Sequence, residues 1–256
     1  MTGTDPMTIS LVACLLLAIG TAPSHAQNAT APAPVAGIDA KAQAEHDAED
    51  RVHRDWAWLE RYRAANAAVT APVTVVFMGD SITQGWADMM PAFFTPGRIG
   101  RGIGGQTTPQ MLLRFRQDVI DLHPQVVQIM AGTNDIAGNT GPMTAAQTRA
   151  NLMSMAELAR AHGIRVILAS IPPAARFPWR PGLDTATPIA TMNTWLKAYA
   201  AQTGAVYADY WSALHDGQAL RATLTYDGVH PNQAGYAAMA PVAEAAIRAA
   251  LAHPAP

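Results

Sequence analysis

Short runs of β-branched and other apolar residues recur along the chain, and amphipathic helical patterns separate them. Strands that alternate with helices form a parallel sheet with helices on both faces. Two runs, VTVVFM and VVQIM, are apolar almost throughout, which is typical of strands buried on both sides. The predicted strands are 73–78, 99–103 (the weakest), 126–130, 165–170 and 205–208, and the predicted helices are 107–120, 144–162, 187–202 and 233–251. We therefore predict an α/β fold with a central parallel sheet of about five strands.

The size and the charge of the chain limit the number of domains and the kinds of partner that we expect. Of its 256 residues half are apolar and 14% are charged, which is enough apolar material for one sizeable core. No internal repeat or second domain is visible. Its 17 basic and 19 acidic residues form no long run of one sign. A nucleic acid or an anionic membrane usually requires a basic patch, so neither is an expected partner.

The first 26 residues resemble an export signal. An apolar run over residues 9–20 is shorter than the roughly 20 residues that span a bilayer, and it precedes the cleavage-like pattern Ser24-His25-Ala26. We predict a signal peptide over 1–26, cut near Ala26, and a secreted or periplasmic protein. No Lys or Arg precedes the apolar run, so the usual positive segment is missing. The alternative is an apolar N-terminal helix packed on the domain.

The single cysteine lies inside this apolar run. Leu11-Val12-Ala13-Cys14 resembles a lipoprotein box, but most of the apolar stretch follows the cysteine instead of preceding it, which disfavours lipid attachment. Cleavage near Ala26 would leave a chain without cysteine, hence without a disulfide or a thiol nucleophile.

Two further segments precede the predicted sheet. Residues 27–40 are rich in Ala and Pro and are interpreted as a flexible linker. The domain is predicted to run from 41 to 256, and its first part, residues 41–66, is predicted to be an N-terminal helical extension. Trp56, Trp58, Leu59 and Tyr62 form an apolar stripe on this extension, which we interpret as packing residues.

Polar, glycine-rich segments follow the predicted strands or precede the last helix. They are GDSIT (79–83), GIGGQT (102–107), GTND (132–135) and DGVHP (227–231). Ligand sites of open parallel sheets lie beyond the carboxyl ends of the strands, so these segments are expected to meet at one edge.

The residue types in these segments suit acyl transfer. Ser81 is a candidate nucleophile, which needs an adjacent base such as His230, and Asp227 can orient the second ring nitrogen of that histidine. The oxyanion of a tetrahedral intermediate needs fixed donors. The backbone N–H groups of Ser81 and Gly105 and the side-chain amide of Asn134 are candidates.

Taken in order, the four segments resemble the sequence blocks of the SGNH (GDSL-like) hydrolase family. The likeness covers about residues 73–250, and within the family the chain is similar to bacterial platelet-activating-factor acetylhydrolase-like and carbohydrate-esterase-like members. The resemblance implies a flavodoxin-like three-layer α/β/α sandwich. It also implies Ser81 as nucleophile, Gly105 and Asn134 as oxyanion donors, and Asp227 with His230 as the remaining catalytic pair.

The chain departs from the family pattern at two positions. Gln106 stands where many members have Asp, and Gly100 stands where Asn is frequent. Neither is a proposed catalytic position, so these departures bear on substrate preference and not on mechanism. No G-x-S-x-G motif occurs, so the α/β-hydrolase nucleophile turn is not supported.

Each segment has a simpler structural use when it is considered alone. Ser81 and Asn134 suit helix caps, Asp227 with Gly228 suits a turn, and a single histidine such as His230 suits packing. The occurrence of all four segments in the family's order favours a catalytic site. Asp80 and Asp135 are expected to be structural.

The proline-rich loop 171–184 follows the fourth predicted strand and is expected to lie on the same edge. Phe177, Trp179 and Arg180 are candidate substrate-binding residues. The alternative is a rigid aromatic loop that covers the core.

We expect a secreted serine esterase that acts on short acyl esters, notably acetyl esters of a small-molecule, carbohydrate or lipid substrate. Alternatives are a lysophospholipase or thioesterase for longer chains, or a glycan-binding protein without catalysis. The other histidines lack metal-ligand spacing and no nucleotide-binding fingerprint is evident, so neither a metal nor another cofactor is expected.

Overall fold

The computed structural model describes residues 40–255 and places five parallel strands in one sheet of order β2-β1-β3-β4-β5. The strands are β1 (Val75–Gly79), β2 (Arg98–Gly102), β3 (Val126–Met130), β4 (Arg165–Ala169) and β5 (Val206–Ala208). The chain runs outward from β1 to β2 and then returns to β3 on the other side of β1. This reversal opens the crevice in which parallel sheets bind ligands.

The apolar strand sequences arise because the sheet is covered on both faces. In β1, Val76 and Met78 enter one core cluster, whereas Val75 and Phe77 enter the other. Alternate residues of a strand point to opposite faces, so a strand between two cores needs apolar side chains at every position.

Helices cover both faces of the sheet. On one face lie α4 (Thr108–Asp118), α6 (Ala145–Ala161) and α7 (Ala186–Thr203), whose buried apolar residues belong to the first core cluster. On the other lie α3 (Ser81–Met89), α8 (Tyr210–Leu214) and α9 (Gln233–Ala252). The predicted α/β fold with a parallel sheet of five strands is therefore confirmed, and its order is that of flavodoxin-like folds.

The fold also contains several shorter elements. They are α5 (Thr133–Ala137), the 3₁₀ turns Leu59–Tyr62, Pro91–Phe93, Ile120–Leu122 and Ala222–Leu224, and a hairpin of β6 (His215–Asp216) and β7 (Ala219–Leu220). The predicted strands and the four predicted helices that follow them agree with the observed ones to within two residues at every end. Within residues 40–255, no helix combines the length and the apolar character that a membrane crossing requires.

The extension predicted as helical over 41–66 is divided in the structure. It contains α1 (Ala40–Arg54), the 3₁₀ turn Leu59–Tyr62 and α2 (Arg63–Ala67). Asp55 interrupts the helix because its carboxylate accepts hydrogen bonds from the backbone N–H groups of Leu59 and Glu60, at 2.7 and 2.9 Å. Trp58 then adopts a left-handed backbone with φ of 54°. We call residues 55–67 the N-terminal strap.

Two predictions concern the N-terminal region that precedes the strap. The signal peptide over 1–26 lies outside the described residues, and so does the linker over 27–40 except for Ala40, the first residue of α1. Both stay predictions.

Candidate active site

Ser81 is the first residue of α3, directly beyond the carboxyl end of β1. Its backbone N–H has no partner within the helix because the first amides of an α-helix are left free. Asp80 caps the helix by accepting a hydrogen bond from the N–H of Ile82 at 2.9 Å. Strand β2 can approach this turn because Gly102 has no side chain, since a Cβ there would lie 2.1 Å from the backbone nitrogen of Gln84.

A chain of hydrogen bonds joins Ser81 to the segment before α9. Ser81 Oγ lies 2.9 Å from His230 Nε2, and His230 Nδ1 lies 2.6 Å from Asp227 Oδ2. The structure thus brings the hydroxyl of Ser81 to an imidazole that lies 149 positions later in the sequence and to the carboxylate that binds it. A carboxylate on one ring nitrogen favours the tautomer whose other nitrogen can accept a proton.

The turn that holds Asp227 and His230 is stabilised by its own polar groups. Asp227 Oδ1 accepts hydrogen bonds from the backbone N–H groups of Val229 and His230, at 2.9 and 2.7 Å. Thr225 Oγ1 donates to the carbonyl of His230 and accepts from the N–H of Gly228. Burial acts to raise the pKa of Asp227, but the hydrogen bonds from His230 and Val229 hold that pKa below its usual value.

The glycine loop after β2 lies beside Ser81. A Cβ on Gly104 would stand 3.7 Å from the Cβ of Ser81, and Gly105 has a positive φ of 76°. Glycine adopts this backbone conformation readily and lets the main chain approach a ligand. The Gly105 main chain is therefore close to the serine that it was predicted to assist.

Asn134, at the start of α5, has its side chain fixed at both ends. Its Nδ2 donates to the carbonyl of Gln106 at 3.0 Å, and its Oδ1 accepts from Asn139 Nδ2 at 2.8 Å. The same Nδ2 lies 3.5 Å from Asp80 Oδ2, which places it next to the Ser81 turn. An amide nitrogen has two hydrogens, so one remains for a ligand or for Asp80.

Asp80 and Asp135 are buried beside these groups. Burial raises the pKa of Asp80 to about 6, although the hydrogen bond from the backbone of Ile82 opposes this rise. Asp135 accepts hydrogen bonds from Thr108 and Thr148, which joins α5 to α4 and α6. Among residues 40–255, no three His, Cys, Asp or Glu side chains cluster as metal ligands.

Aromatic rings flank the imidazole on the solvent side. The ring centroid of Trp179 lies 6.2 Å from that of His230, and the Tyr226 ring stacks on His230 at 5.7 Å. Both rings are accessible, with exposed fractions of 39% for Trp179 and 63% for Tyr226. Trp179 is held in place by a 3.0 Å hydrogen bond from its Nε1 to Asn139 Oδ1.

The prediction that Phe177 binds substrate needs correction. Phe177 has no exposed surface, and its ring stacks beneath Trp179 with centroids 5.2 Å apart. It therefore supports Trp179 from the core instead of contacting a ligand. Arg180 is exposed and lies near Gly138, at the outer side of the α5 turn.

The geometry agrees with a comparison against families of known proteins. The model of the GDSL-like lipase/acylhydrolase family matches residues 77–238, which include every segment of this site. The chain belongs to this family. The predicted resemblance is thereby confirmed.

Solved structures with similar sequences share the fold. A proposed acylhydrolase from Bacteroides fragilis NCTC 9343 is 48% identical, with a TM-score of 0.74 over 76% of this chain and 97% of that one. A GDSL-like lipase from Bacteroides thetaiotaomicron VPI-5482 is 46% identical, with a TM-score of 0.73 over 76% and 98%.

A curated relative is similar over a shorter stretch. The uncharacterised lipoprotein YqeF of Bacillus subtilis (strain 168) is 45% identical over 78 residues, or 29% of this chain. The match spans only about a third of that relative's length (32%).

Sequence reasoning missed some residues that organise this site. Asn139 joins Asn134, the carbonyl of Gly105 and the indole of Trp179, yet it lies in a turn with no motif of its own. The role of Thr225 was also missed. The departure at Gln106 was noticed, but its carbonyl contact with Asn134 has no signal in the sequence.

Proposed function

We propose that the protein is a serine esterase that hydrolyses short acyl esters, with acetyl as the preferred acyl group. The observation that carries the proposal is the continuous hydrogen-bond chain from Asp227 through His230 to Ser81, with distances of 2.6 and 2.9 Å. A hydroxyl is a weak nucleophile, and an oriented neutral imidazole within hydrogen-bond distance is what activates it.

In the first half of the reaction Ser81 Oγ attacks the ester carbonyl while His230 Nε2 takes the hydroxyl proton. The Asp227 carboxylate, kept ionised by its lowered pKa, stabilises the resulting imidazolium. The imidazolium then protonates the leaving alcohol, and the acyl group remains on Ser81. In the second half, water attacks the acyl-enzyme with His230 again as base and releases the acid.

The negative oxygen of each tetrahedral intermediate needs donors that are fixed in advance. The N–H groups of Ser81 and Gly105 and the second amide hydrogen of Asn134 serve this purpose. Asn134 suits it because Gln106 and Asn139 already fix the orientation of its amide. A preorganised donor costs no reorganisation during the reaction.

For the alcohol part of the substrate, we propose a ring-shaped alcohol with several hydroxyl groups, as in an acetylated saccharide. The leaving alcohol must lie beside His230, which protonates it, and the exposed rings of Trp179 and Tyr226 flank this position. An aromatic face with a polar edge suits a ring that is apolar on its faces and polar at its rim.

The test is hydrolysis of p-nitrophenyl acetate by wild type and by Ser81→Ala, with Ser154→Ala in α6 as the matched control. We expect Ser81→Ala to lose activity by about 10³-fold or more and the control to keep it. Full activity in Ser81→Ala would refute the mechanism. A series from acetate to decanoate esters separates the short-chain proposal from the lysophospholipase or thioesterase alternative. Glycan binding without turnover would favour the non-catalytic alternative.

We also propose that the protein is exported by its N-terminal segment. The apolar run and the pattern ending at Ala26 support this, and the curated relative is named a lipoprotein. Expression in a bacterial host followed by mass measurement tests it. A mature chain that begins at Gln27 supports export with cleavage after Ala26. A lipid-modified Cys14 contradicts that cleavage site but not export, whereas an unprocessed chain contradicts both.

A further inference from the structure

We infer that Gln106 is a positioning residue for the oxyanion-binding amide, and that the N-terminal strap and Arg114 hold it in place. This inference rests on the proposed function, because it assigns a role to residues around Asn134. The strap is thus more than packing. It is one support of the active site.

The main chain of Gln106 contacts the side-chain amide of Asn134. The main-chain carbonyl of Gln106 accepts one hydrogen of Asn134 Nδ2 at 3.0 Å. The other hydrogen of that amide faces Asp80 Oδ2 at the long distance of 3.5 Å, and it is the one that an oxyanion would accept. A shift of the Gln106 main chain therefore rotates or releases the amide. It would also move Gly105, its neighbour in the chain.

The side chain of Gln106 is anchored by two hydrogen bonds, and the residue is 3% exposed. Its Nε2 donates to the carbonyl of Ala57 in the strap at 2.7 Å. Its Oε1 accepts from Arg114 Nε at 2.6 Å. Both ends of the side-chain amide are thus fixed by partners outside the loop, so the loop cannot shift without breaking at least one buried hydrogen bond.

Arg114 also binds groups outside the Gln106 loop. Its guanidinium is fully buried and also donates to the carbonyl of Gly79, at the end of β1, and to Asp118, at 2.9 and 3.0 Å. Gly79 precedes the cap of the Ser81 helix by one residue. A single side chain therefore fixes the distance between the strand that presents Ser81 and the loop that presents Gly105.

The strap is held against α4 by further glutamines. Gln110 Nε2 donates to the carbonyl of Trp56 at 2.7 Å, and Gln117 Nε2 donates to the carbonyl of Leu59 at 2.6 Å. Gln117 offers a matched control, because it makes the same kind of bond to the same segment but lies eleven residues farther along the chain than Gln106.

The experiment compares Gln106→Met with Gln117→Met in the full chain, by steady-state hydrolysis of p-nitrophenyl acetate and by thermal unfolding. We expect Gln106→Met to lower kcat by about tenfold, less than the 10²–10³-fold cost of losing a donor outright. KM should stay within about twofold, since ground-state binding is unchanged. Gln117 is only partly buried, so Gln117→Met should lose less thermal stability and keep wild-type kcat.

A double variant tests whether Gln106 acts through Asn134. If it does, Gln106→Met adds little to the loss already caused by Asn134→Ala, whereas independent effects would multiply. Multiplying effects, or equal kcat in Gln106→Met and Gln117→Met, overturns the inference. If Gln106→Met does not fold, Gln106→Glu replaces it, since it keeps the acceptor for Arg114 but turns the donor to Ala57 into a carboxylate oxygen that the Ala57 carbonyl repels. Wild-type kcat in that variant likewise overturns the role of the strap.

The Ser81→Ala variant distinguishes the two levels of failure. If it retains activity, the proposed function fails and the inference fails with it. If it is inactive while Gln106→Met behaves like its control, the inference alone is wrong.

Discussion

Asp80 occupies an unusual position for a carboxylate, because it is 2% exposed and adjoins both Ser81 and the amide of Asn134. One oxygen caps α3 through the N–H of Ile82, and the other faces Asn134 Nδ2 at 3.5 Å. These contacts are too few to offset the loss of hydration, which is why burial raises the pKa of Asp80 from 3.8 to about 6. The residue stabilises the turn best when it is protonated.

This shift predicts how stability depends on pH. Between about pH 4 and pH 6 the folded state keeps the Asp80 proton and the unfolded state loses it, so the free energy of unfolding falls as the pH rises. A shift of about two pKa units corresponds to about 3 kcal/mol, which is fully lost above the folded pKa. Asp80→Asn keeps a capping oxygen but cannot ionise, so it should gain about this much relative to wild type between pH 4 and pH 7.

Urea unfolding at pH 4, 5, 6 and 7 measures the difference between the two proteins at each pH. Asp209→Asn serves as control, since Asp209 also caps a helix, α8, but lies at the surface. A constant difference between wild type and Asp80→Asn across this range would contradict the prediction.

Among single residues, motifs in the sequence predicted Ser81, His230 and Asp227. The structure brings these side chains within hydrogen-bond distance of one another. Motifs report residues whose chemistry and spacing recur. They do not report Asn139, because an asparagine in a turn is an ordinary residue until its neighbours in space are known.

Among the elements, the loop 171–184 connects core packing to the site. The buried ring of Phe177 supports Trp179, and the indole N–H is bound to Asn139, so the exposed face of the indole is fixed beside His230. A rigid aromatic face loses little entropy when it binds a ring. The loop thus combines the two interpretations that the sequence allowed, with Phe177 in the core and Trp179 at the site.

We predict that Trp179→Ala weakens binding of an acetylated methyl xyloside. The KM for this ester should rise about 3- to 10-fold, as expected for the loss of an aromatic contact, while the KM for ethyl acetate should not change. Trp179→Phe separates the two roles of the indole, since it keeps the aromatic face and loses the hydrogen bond to Asn139. Equal KM values for the xyloside in wild type and Trp179→Ala would argue against a ring-shaped alcohol.

Element boundaries were predictable where periodicity is strong and not where it is weak. Helix α3 (Ser81–Met89) was not predicted because it is only nine residues long and contains Gly85, which disfavours a helix. Gly85 is needed because a Cβ there would stand 2.6 Å from the hydroxyl of Tyr236 on α9. The break at Asp55 was missed for a related reason, since a carboxylate that caps the next turn looks, in sequence, like one more charged helical residue.

For the whole molecule, alternation of strands and helices was sufficient to predict the fold, because right-handed crossovers and two-sided burial leave few arrangements. What alternation could not predict is the buried polar network that crosses between elements. Arg114 shows this best. Its guanidinium binds the carbonyls of Gly79 in β1 and Arg101 in β2, the side chain of Gln106, and Asp118 on its own helix.

This network leads to a prediction about global stability. Neither Arg114 nor Asp118 has any exposed side-chain surface, and their ion pair is 3.0 Å long. Removal of Arg114 leaves the buried charge of Asp118 with neutral hydrogen-bond donors, Asn66 at 2.7 Å and Gln117 at 3.3 Å, and without its ion pair, so Arg114→Met should lower the free energy of unfolding by about 3–5 kcal/mol. Adding Asp118→Leu removes that charge and should recover part of the loss.

As a control, Arg63→Met breaks the exposed pair with Glu60 and should cost less than about 1 kcal/mol in urea unfolding. A double variant no more stable than Arg114→Met would show that the carbonyl contacts of Arg114, and not its charge pairing, hold these elements together.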